Sequence, residues 1–311
     1  MGKVSAMIQK VDKIWMDGEM VDWGKAQIHI LTHTLHYGLG VFEGIRSYLC
    51  HDGKSAVFRL KAHIDRLFDS ALIAQITIPY SRKEICQAVK EVLKVNKLSE
   101  GYIRPIVYIG DGEMGIYVKE YPVRVAIACW AWGAYLGEEG LGKGIRAKIS
   151  SFTRHHVNVS MTKAKICGNY VNSIMAKREV TAMGYDEAIL LDTEGYVCEA
   201  SGENIFIVKD EVIKTPPPTS ILKGITRGAV ITIVQDNGRR VVEQRFTRDE
   251  LYTADEAFFT GTAAEITPIR EVDDRRIGGG TRGPVTESIQ KTFFDAVKGK
   301  EERYKEWLSY L

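Results

Sequence analysis

The chain has 311 residues, 45% of them hydrophobic, which is enough apolar material for two buried cores rather than one small one. Lysine and arginine number 42 against 40 acids, so the formal charge of +2 gives no general pull toward nucleic acid or an anionic membrane and favours a small-molecule partner. The five cysteines, Cys50, Cys86, Cys129, Cys167 and Cys198, form no CxxC pair or zinc spacing and read as reduced thiols of a cytoplasmic protein.

Charges at Lys3, Lys10, Asp12 and Lys13 interrupt the N-terminus, so a secretory signal is not expected. Residues 14–23 predict a hairpin turning at Asp17-Gly18, and residues 55–60 a strand. Ile64, Leu67, Phe68, Ala71 and Leu72 recur at helical spacing. Ser81 and Glu84 form a capping box before a second apolar stripe, Ile85, Ala88, Val89, Val92 and Leu93. Strands are expected at 102–109 and 122–131. The longest apolar run, 125–137, is well short of the ~20 residues that a membrane helix needs. Five glycines in the twelve residues 133–144 predict an interdomain linker, which divides the chain into a smaller N-terminal domain (1–132) and a larger C-terminal one (145–311). Beyond it, 145–151, 187–191 and 204–208 read as strands and 169–182 as a helix closed by Gly184. Further helices open at Gly224 and Pro284. Strands and helices mix in both halves, so the fold class is α/β or α+β in two domains, with the sheet topology left open.

Several motifs lead nowhere. Residues 137–144 approach a P-loop, but Gly144 stands where the magnesium-binding hydroxyl belongs. Gly38, Gly40 and Gly44 miss the dinucleotide fingerprint by one position and are read as shaping a loop. His29, His33 and His36 lack the HExxH pattern and are read as structural, so no metal is expected. A different signal is the absence of acid from Gly140 to Arg178, where Lys143, Arg146, Lys148, Arg154, Lys163, Lys165, Lys177 and Arg178 add eight positive charges. One reading is a nucleic-acid face, though no binding motif accompanies it. The other is an anion site around a working lysine, whose proton affinity falls near other cations so that it becomes a nucleophile toward an aldehyde. Taken alone, Lys163 and Lys165 would be surface lysines.

Five segments read together say more: Tyr37-Gly-Leu-Gly-Val-Phe-Glu-Gly-Ile-Arg46, Lys165-Ile-Cys-Gly-Asn-Tyr170, Glu199-Ala-Ser-Gly-Glu-Asn204, Gly224-Ile-Thr-Arg227 and Thr260-Gly-Thr-Ala-Ala-Glu-Ile-Thr-Pro268. In order and spacing the chain resembles the branched-chain amino-acid aminotransferases of class IV, over nearly its whole length. The resemblance implies fold type IV of the pyridoxal 5′-phosphate enzymes, with Lys165 as the lysine that carries the cofactor and serves as base. It also implies Tyr170 at the ring oxygen, Glu199 at the pyridine nitrogen, and Leu222 packed on the ring. The phosphate is expected at Arg66, at the amides of Ile225 and Thr226, and at Thr262.

For substrate, the resemblance assigns Thr262 and Ala263 to the α-carboxylate with Tyr102 beside it, and Phe42, Trp132, Tyr135 and Tyr170 to the apolar walls. Arg104 is assigned to the distal carboxylate of glutamate, and Tyr37, Met114 and Ile116 are expected from a partner subunit of a homodimer or larger homo-oligomer. Leu39-Gly40, Lys223 and the loop 115–119 depart from the commoner pattern and bear on substrate breadth. The implied reaction is ping-pong transfer of amino groups between L-leucine, L-isoleucine or L-valine and 2-oxoglutarate. Other enzymes of the fold type, namely D-amino-acid aminotransferases, (R)-amine aminotransferases and aminodeoxychorismate lyases, are the alternatives.

Overall fold

The computed structural model describes residues 8–117, 120–133 and 136–311. The chain divides into two compact units, Met1–Gly133 with Val297–Leu311, and Ala134–Ala296.

The first unit opens with β1 (Lys13–Met16) and β2 (Glu19–Asp22). They are joined through Asp17 (φ 47°) and Gly18 (φ 98°), the doubly left-handed turn that matches strand twist. Then come α1 (His33–Tyr37), β3 (Gly40–Phe42), β4 (Ile45–Leu49), β5 (Ser55–Phe58), α2 (Leu60–Ile73), α3 (Arg82–Val95), β6 (Gly101–Ile109) and β7 (Val123–Trp130). The capping box of α3 is formed in both directions, and its apolar stripe is wholly buried, each large residue contributing roughly 1.5 to 3 kcal/mol. The glycine loop expected around Gly38 is more ordered than its composition implies. Gly38 caps α1 at φ 74°, and residues 40–42 pair with β6 as a strand.

The second unit contains α4 (Glu138–Lys143), β8 (Ile145–Ile149), α5 (Tyr170–Ala182), β9 (Glu187–Leu191), β10 (Val197–Ala200), β11 (Asn204–Lys209), β12 (Val212–Thr215) and α6 (Ile225–Asp236). It continues with β13 (Val241–Glu243), α7 (Arg248–Tyr252), β14 (Glu256–Gly261), β15 (Glu265–Val272), β16 (Arg275–Arg276) and α8 (Pro284–Val297). Its sheet runs β10-β9-β8-β15-β14-β11-β12-β13, with β16 on β15. Strand alternation separates two cores: Ala188 and Leu190 turn toward Ala176 and Val180 of α5, while Ile189 joins Ile149, Val197, Phe246 and Phe259 on the other side.

Two boundaries differ from the sequence reading. Residues 138–143 of the glycine-rich stretch fold as α4, whose glycines Gly140 and Gly142 are tolerated in a single short helix. The sequence pattern places the chain's last segment in the second domain, but β17 (Leu308–Tyr310) pairs antiparallel with β5 and completes the sheet order β17-β5-β4-β6-β7-β1-β2 of the first unit, with β3 on β6. Local propensity carries no information about such a distant partner. Both units mix helices with strands, an α+β arrangement.

Candidate active site

In the second unit the acid-free stretch runs from α4 through β8 and into α5, and the loop between β8 and α5 carries its Arg154, Lys163 and Lys165. Lys165 Nζ donates to the phenol oxygen of Tyr170 and lies 4.8 Å from that ring's centroid. A 3₁₀ turn at Cys167–Asn169 brings Tyr170 round to begin α5, which lets residues five apart meet.

Glu199 lies on β10, where the pairing with β9 shifts register between Val197 and Glu199. Such a bulge re-aims a side chain. Its carboxylate is only 5% exposed and accepts from Leu222 N and from Asn204 Nδ2, each at 3.2 Å. Asn204 Nδ2 also reaches Leu222 O at 3.0 Å, tying β10, β11 and the segment before α6 together. Burial pushes the Glu199 carboxyl up, against the opposing charges of Arg154 and Lys165 and the amide of Leu222. Arg154 Nε stands 2.8 Å from Glu199 Oε1. Both atoms nevertheless lack a hydrogen-bond partner among the described residues, so the contact is an ion pair without hydrogen-bond alignment. Lys163, by contrast, is pushed down, first by partial burial and then by the ammonium of Lys223.

Helix α6 starts at Ile225 behind Gly224, which offers no side-chain cap. A Cβ on Gly224 would stand 2.0 Å from Asn204 Oδ1, so glycine is what lets the helix start approach Asn204. The first amides, of Ile225 and Thr226, therefore lack the usual capping oxygen and suit an anion. Thr260, opposite Asn204 in the sheet, has a buried hydroxyl with no hydrogen-bond partner among the described residues. Thr262 and Ala263 follow in the tight turn between β14 and β15.

In the first unit, Tyr102 and Arg104 project from the same face of β6. The Arg104 guanidinium carbon lies 4.7 Å from the Phe42 ring centroid, 5.4 Å from that of Tyr102 and 5.9 Å from that of Trp130. The Tyr102 ring is 4.6 Å from Trp132, edge to face. Arg104 Nη2 reaches the Tyr102 hydroxyl at 3.4 Å, while its buried Nε has no partner among the described residues. Gly44 makes room for this phenol, since a Cβ there would fall 1.9 Å from the Tyr102 oxygen. Arg66 is engaged by a buried acid, Glu43, which also accepts from His63.

Tyr37 ends α1 and is exposed, as are Met114 and Ile116 in the loop between β6 and β7. His33 Nε2 meets Gly115 O at 2.8 Å and ties that loop to α1; His36 likewise meets the carbonyl of Ile30. Tyr135 lies outside the described residues.

The structure thus brings Lys165, Tyr170, Glu199, Leu222 and the start of α6 into one neighbourhood of the second unit. It gathers Phe42, Tyr102, Arg104 and Trp132 in the first. Sequence reasoning missed the partners: Arg154 stands there only as one of eight charges, Gly44 only as a loop glycine, Glu43 and Asn204 sit inside the quoted motifs without a role, and Trp130 and His63 give no signal.

The family model described as amino-transferase class IV matches residues 40–272. A branched-chain-amino-acid aminotransferase of Pseudomonas aeruginosa is 57% identical, over 97% of this chain and 98% of that one. The crystal structure of the Escherichia coli branched-chain amino acid aminotransferase superposes with a TM-score of 0.94 at 46% identity, covering 96% of this chain and 99% of that one. The Thermobaculum terrenum branched-chain amino acid aminotransferase in its PLP form gives 0.91 at 32% identity, covering 96% and 98%. With matches of this extent, the chain belongs to the class IV aminotransferases, in the branched-chain-amino-acid group.

Proposed function

We infer that the protein is a pyridoxal 5′-phosphate-dependent aminotransferase that moves amino groups between L-leucine, L-isoleucine or L-valine and 2-oxoglutarate, yielding branched 2-oxo acids and L-glutamate. The observation that carries the reading is the Lys165 ammonium on the Tyr170 phenol with the buried carboxylate of Glu199 as an opposing charge. The residues fit the cofactor: a buried carboxylate oxygen without a hydrogen-bond partner suits a ring N–H, and an uncapped helix start suits a phosphate.

The bound cofactor supplies an aldehyde for the amino group and a ring that accepts electrons. Lys165 anchors it, then takes the proton from the substrate α-carbon at Nζ and returns it. Tyr170 orients Nζ, and Glu199 holds the pyridine nitrogen. The phosphate falls to Arg66, to the amides of Ile225 and Thr226, and to Thr262. Thr262, Ala263 and Tyr102 take the α-carboxylate. Leu222 packs the ring, and Phe42, Trp132 and Tyr135 provide the apolar walls. The active form is a homodimer in which Tyr37, Met114 and Ile116 serve the neighbouring site, and the exposure of these apolar residues supports that. No helix among the described residues is long and apolar enough to cross a membrane, and the free cysteines support a cytoplasmic setting, testable by cell fractionation.

The test follows the cofactor spectrum of wild type and Lys165→Ala as leucine, glutamate, D-alanine and 1-phenylethylamine are added separately. Wild type is expected to respond to leucine and glutamate, and Lys165→Ala to bind cofactor without responding to either. A wild-type response confined to D-alanine or the amine would overturn the substrate class, and normal turnover by Lys165→Ala would overturn the mechanism.

A further inference from the structure

Arg154 is 8% exposed, in a loop, and its backbone N–H is bonded to Leu191 O at 2.8 Å. Leu191 belongs to β9, the strand that pairs with β10 in the stretch bearing Glu199. The loop is therefore pinned one strand away from Glu199, and the guanidinium is delivered to its Oε1 at 2.8 Å. Among the described residues, Glu199 is the only acid within ion-pair distance of Arg154. Burying such a pair is costly, and apolar residues of the same volume are often as stable, so stability alone does not call for an arginine here.

Two further observations say what the arrangement leaves available. Glu199 Oε2 is occupied by Asn204 and Leu222, whereas Oε1 faces Arg154 without an aligned hydrogen bond. Oε1 therefore keeps its acceptor capacity while feeling a permanent positive charge, since a guanidinium does not deprotonate in a protein. The other charged groups facing Glu199 are Lys165 and Lys163 from the same loop and Glu203 from the turn after β10. His155, beside Arg154, is held neutral, pushed down to about 4 by burial and by Arg154 itself, so it neither adds to nor offsets the charge at neutral pH.

We propose that Arg154 is a positioning residue: through its ion pair with Glu199 it keeps that carboxylate ionised, and so leaves the proton between the carboxylate and the ring nitrogen of the bound cofactor on the nitrogen instead of on Oε1. The inference rests on the reading of Glu199 as the partner of that nitrogen. The cation lowers the proton affinity of the carboxylate without touching the nitrogen, so the proton stays on nitrogen, where it favours electron acceptance by the ring. Without the cation, a carboxylate this buried takes the proton and the ring becomes neutral.

The test is nitrogen-15 NMR of holoenzyme loaded with ring-labelled pyridoxal phosphate, which reports whether the nitrogen carries a proton, from pH 6 to 9. Wild type is expected to stay protonated throughout, and E199Q to show a neutral nitrogen. R154Q is expected to lose most of the nitrogen-bound proton by pH 8, with kcat falling at least tenfold and KM for leucine little changed. R154Q/E199Q is expected to match E199Q alone, because the effect runs through Glu199; a merely structural arginine would add a further change. Should R154Q not fold, R154K decides. A buried ammonium titrates where a guanidinium does not, so the proton on nitrogen should be held at low pH and lost as pH rises, and a flat profile would overturn the proposal. A protonated nitrogen in E199Q would overturn the reading of Glu199 itself. Wild-type behaviour in R154Q beside an altered E199Q would overturn the role of Arg154 alone.

Discussion

Glu43 and Arg66 meet side-on in the first unit, with Nε to Oε1 at 2.6 Å and Nη2 to Oε2 at 2.8 Å, and His63 Nδ1 sits 2.7 Å from the same Oε2. The acid is fully buried. Burial would raise its proton affinity, but the charges of Arg66 and His63 outweigh it and hold the carboxyl well below its ordinary value of 4.5. With the folded-state value depressed, the contribution to stability is complete above pH 4.5 and declines as pH falls from there. Glu43→Gln should therefore cost roughly 3 to 5 kcal/mol at pH 7, the loss typical of one partner of a buried pair. Urea midpoints of wild type and variant at pH 7 and pH 3.5 check this: the gap should narrow in acid, and a gap independent of pH would mean the ionised pair is not its source.

Arg104 sits among Phe42, Tyr102 and Trp130, with a buried Nε left for a ligand. A charge-assisted hydrogen bond contributes about 1.5 to 3 kcal/mol, so Arg104→Ala should weaken the glutamate half-reaction by about ten- to more than a hundredfold, and the leucine one far less. Measuring kcat/KM for both half-reactions in one preparation decides it. An unchanged ratio would make Arg104 a brace for its aromatic neighbours and nothing more.

Gly224 and Gly228 lie one helical turn apart with opposite surroundings. A methyl on Gly224 collides with the Asn204 amide, whereas one on Gly228 meets nothing within 4 Å. Gly228→Ala is expected to stabilise the protein by about 0.4 to 1 kcal/mol, because a helical alanine loses less chain entropy on folding. Gly224→Ala should displace Asn204 from Glu199 and Leu222 and weaken cofactor binding at least tenfold. Cofactor titration and thermal melting of the pair separate a local steric effect from a general response to alanine.

Ile116 is 96% exposed, beside exposed Tyr117 and Met114. An apolar tip of this kind is unfavourable in water unless a partner covers it. Ile116→Glu should shift sedimentation toward monomer and make activity fall on dilution, while wild type keeps both. A variant that sediments as wild type at micromolar concentration would take Ile116 out of the interface.

Elements stabilised by neighbours in sequence were legible: the capping box of α3, the Asp17-Gly18 turn, and the helices opening behind Gly224 and at Pro284. The local Lys165–Tyr170 pairing was readable from the motif that contains both residues. What escaped were relations between distant stretches. Nothing near Arg154 says that its loop is pinned to β9 beside Glu199, and nothing near Arg66 says that Glu43 lies under it, because such partners are set by strand order and by the bulge in β10. The short helices α1 and α4 escaped for a different reason. Their glycine and histidine content argues against helix on propensity, and hydrogen bonds to neighbouring segments override it.

The pairing of β17 with β5 also bears on how the chain is made. Synthesis runs from the first residue to the last, and domains tend to fold as their segments emerge. Here the second unit is one uninterrupted stretch, so it can close while the first still waits for residues 308–310. Until they arrive, β5, with Ala56, Val57 and Phe58, has an unpaired flank, an open invitation to another chain. A product truncated just before Leu308 should therefore keep a well-formed second unit and yet aggregate through β5.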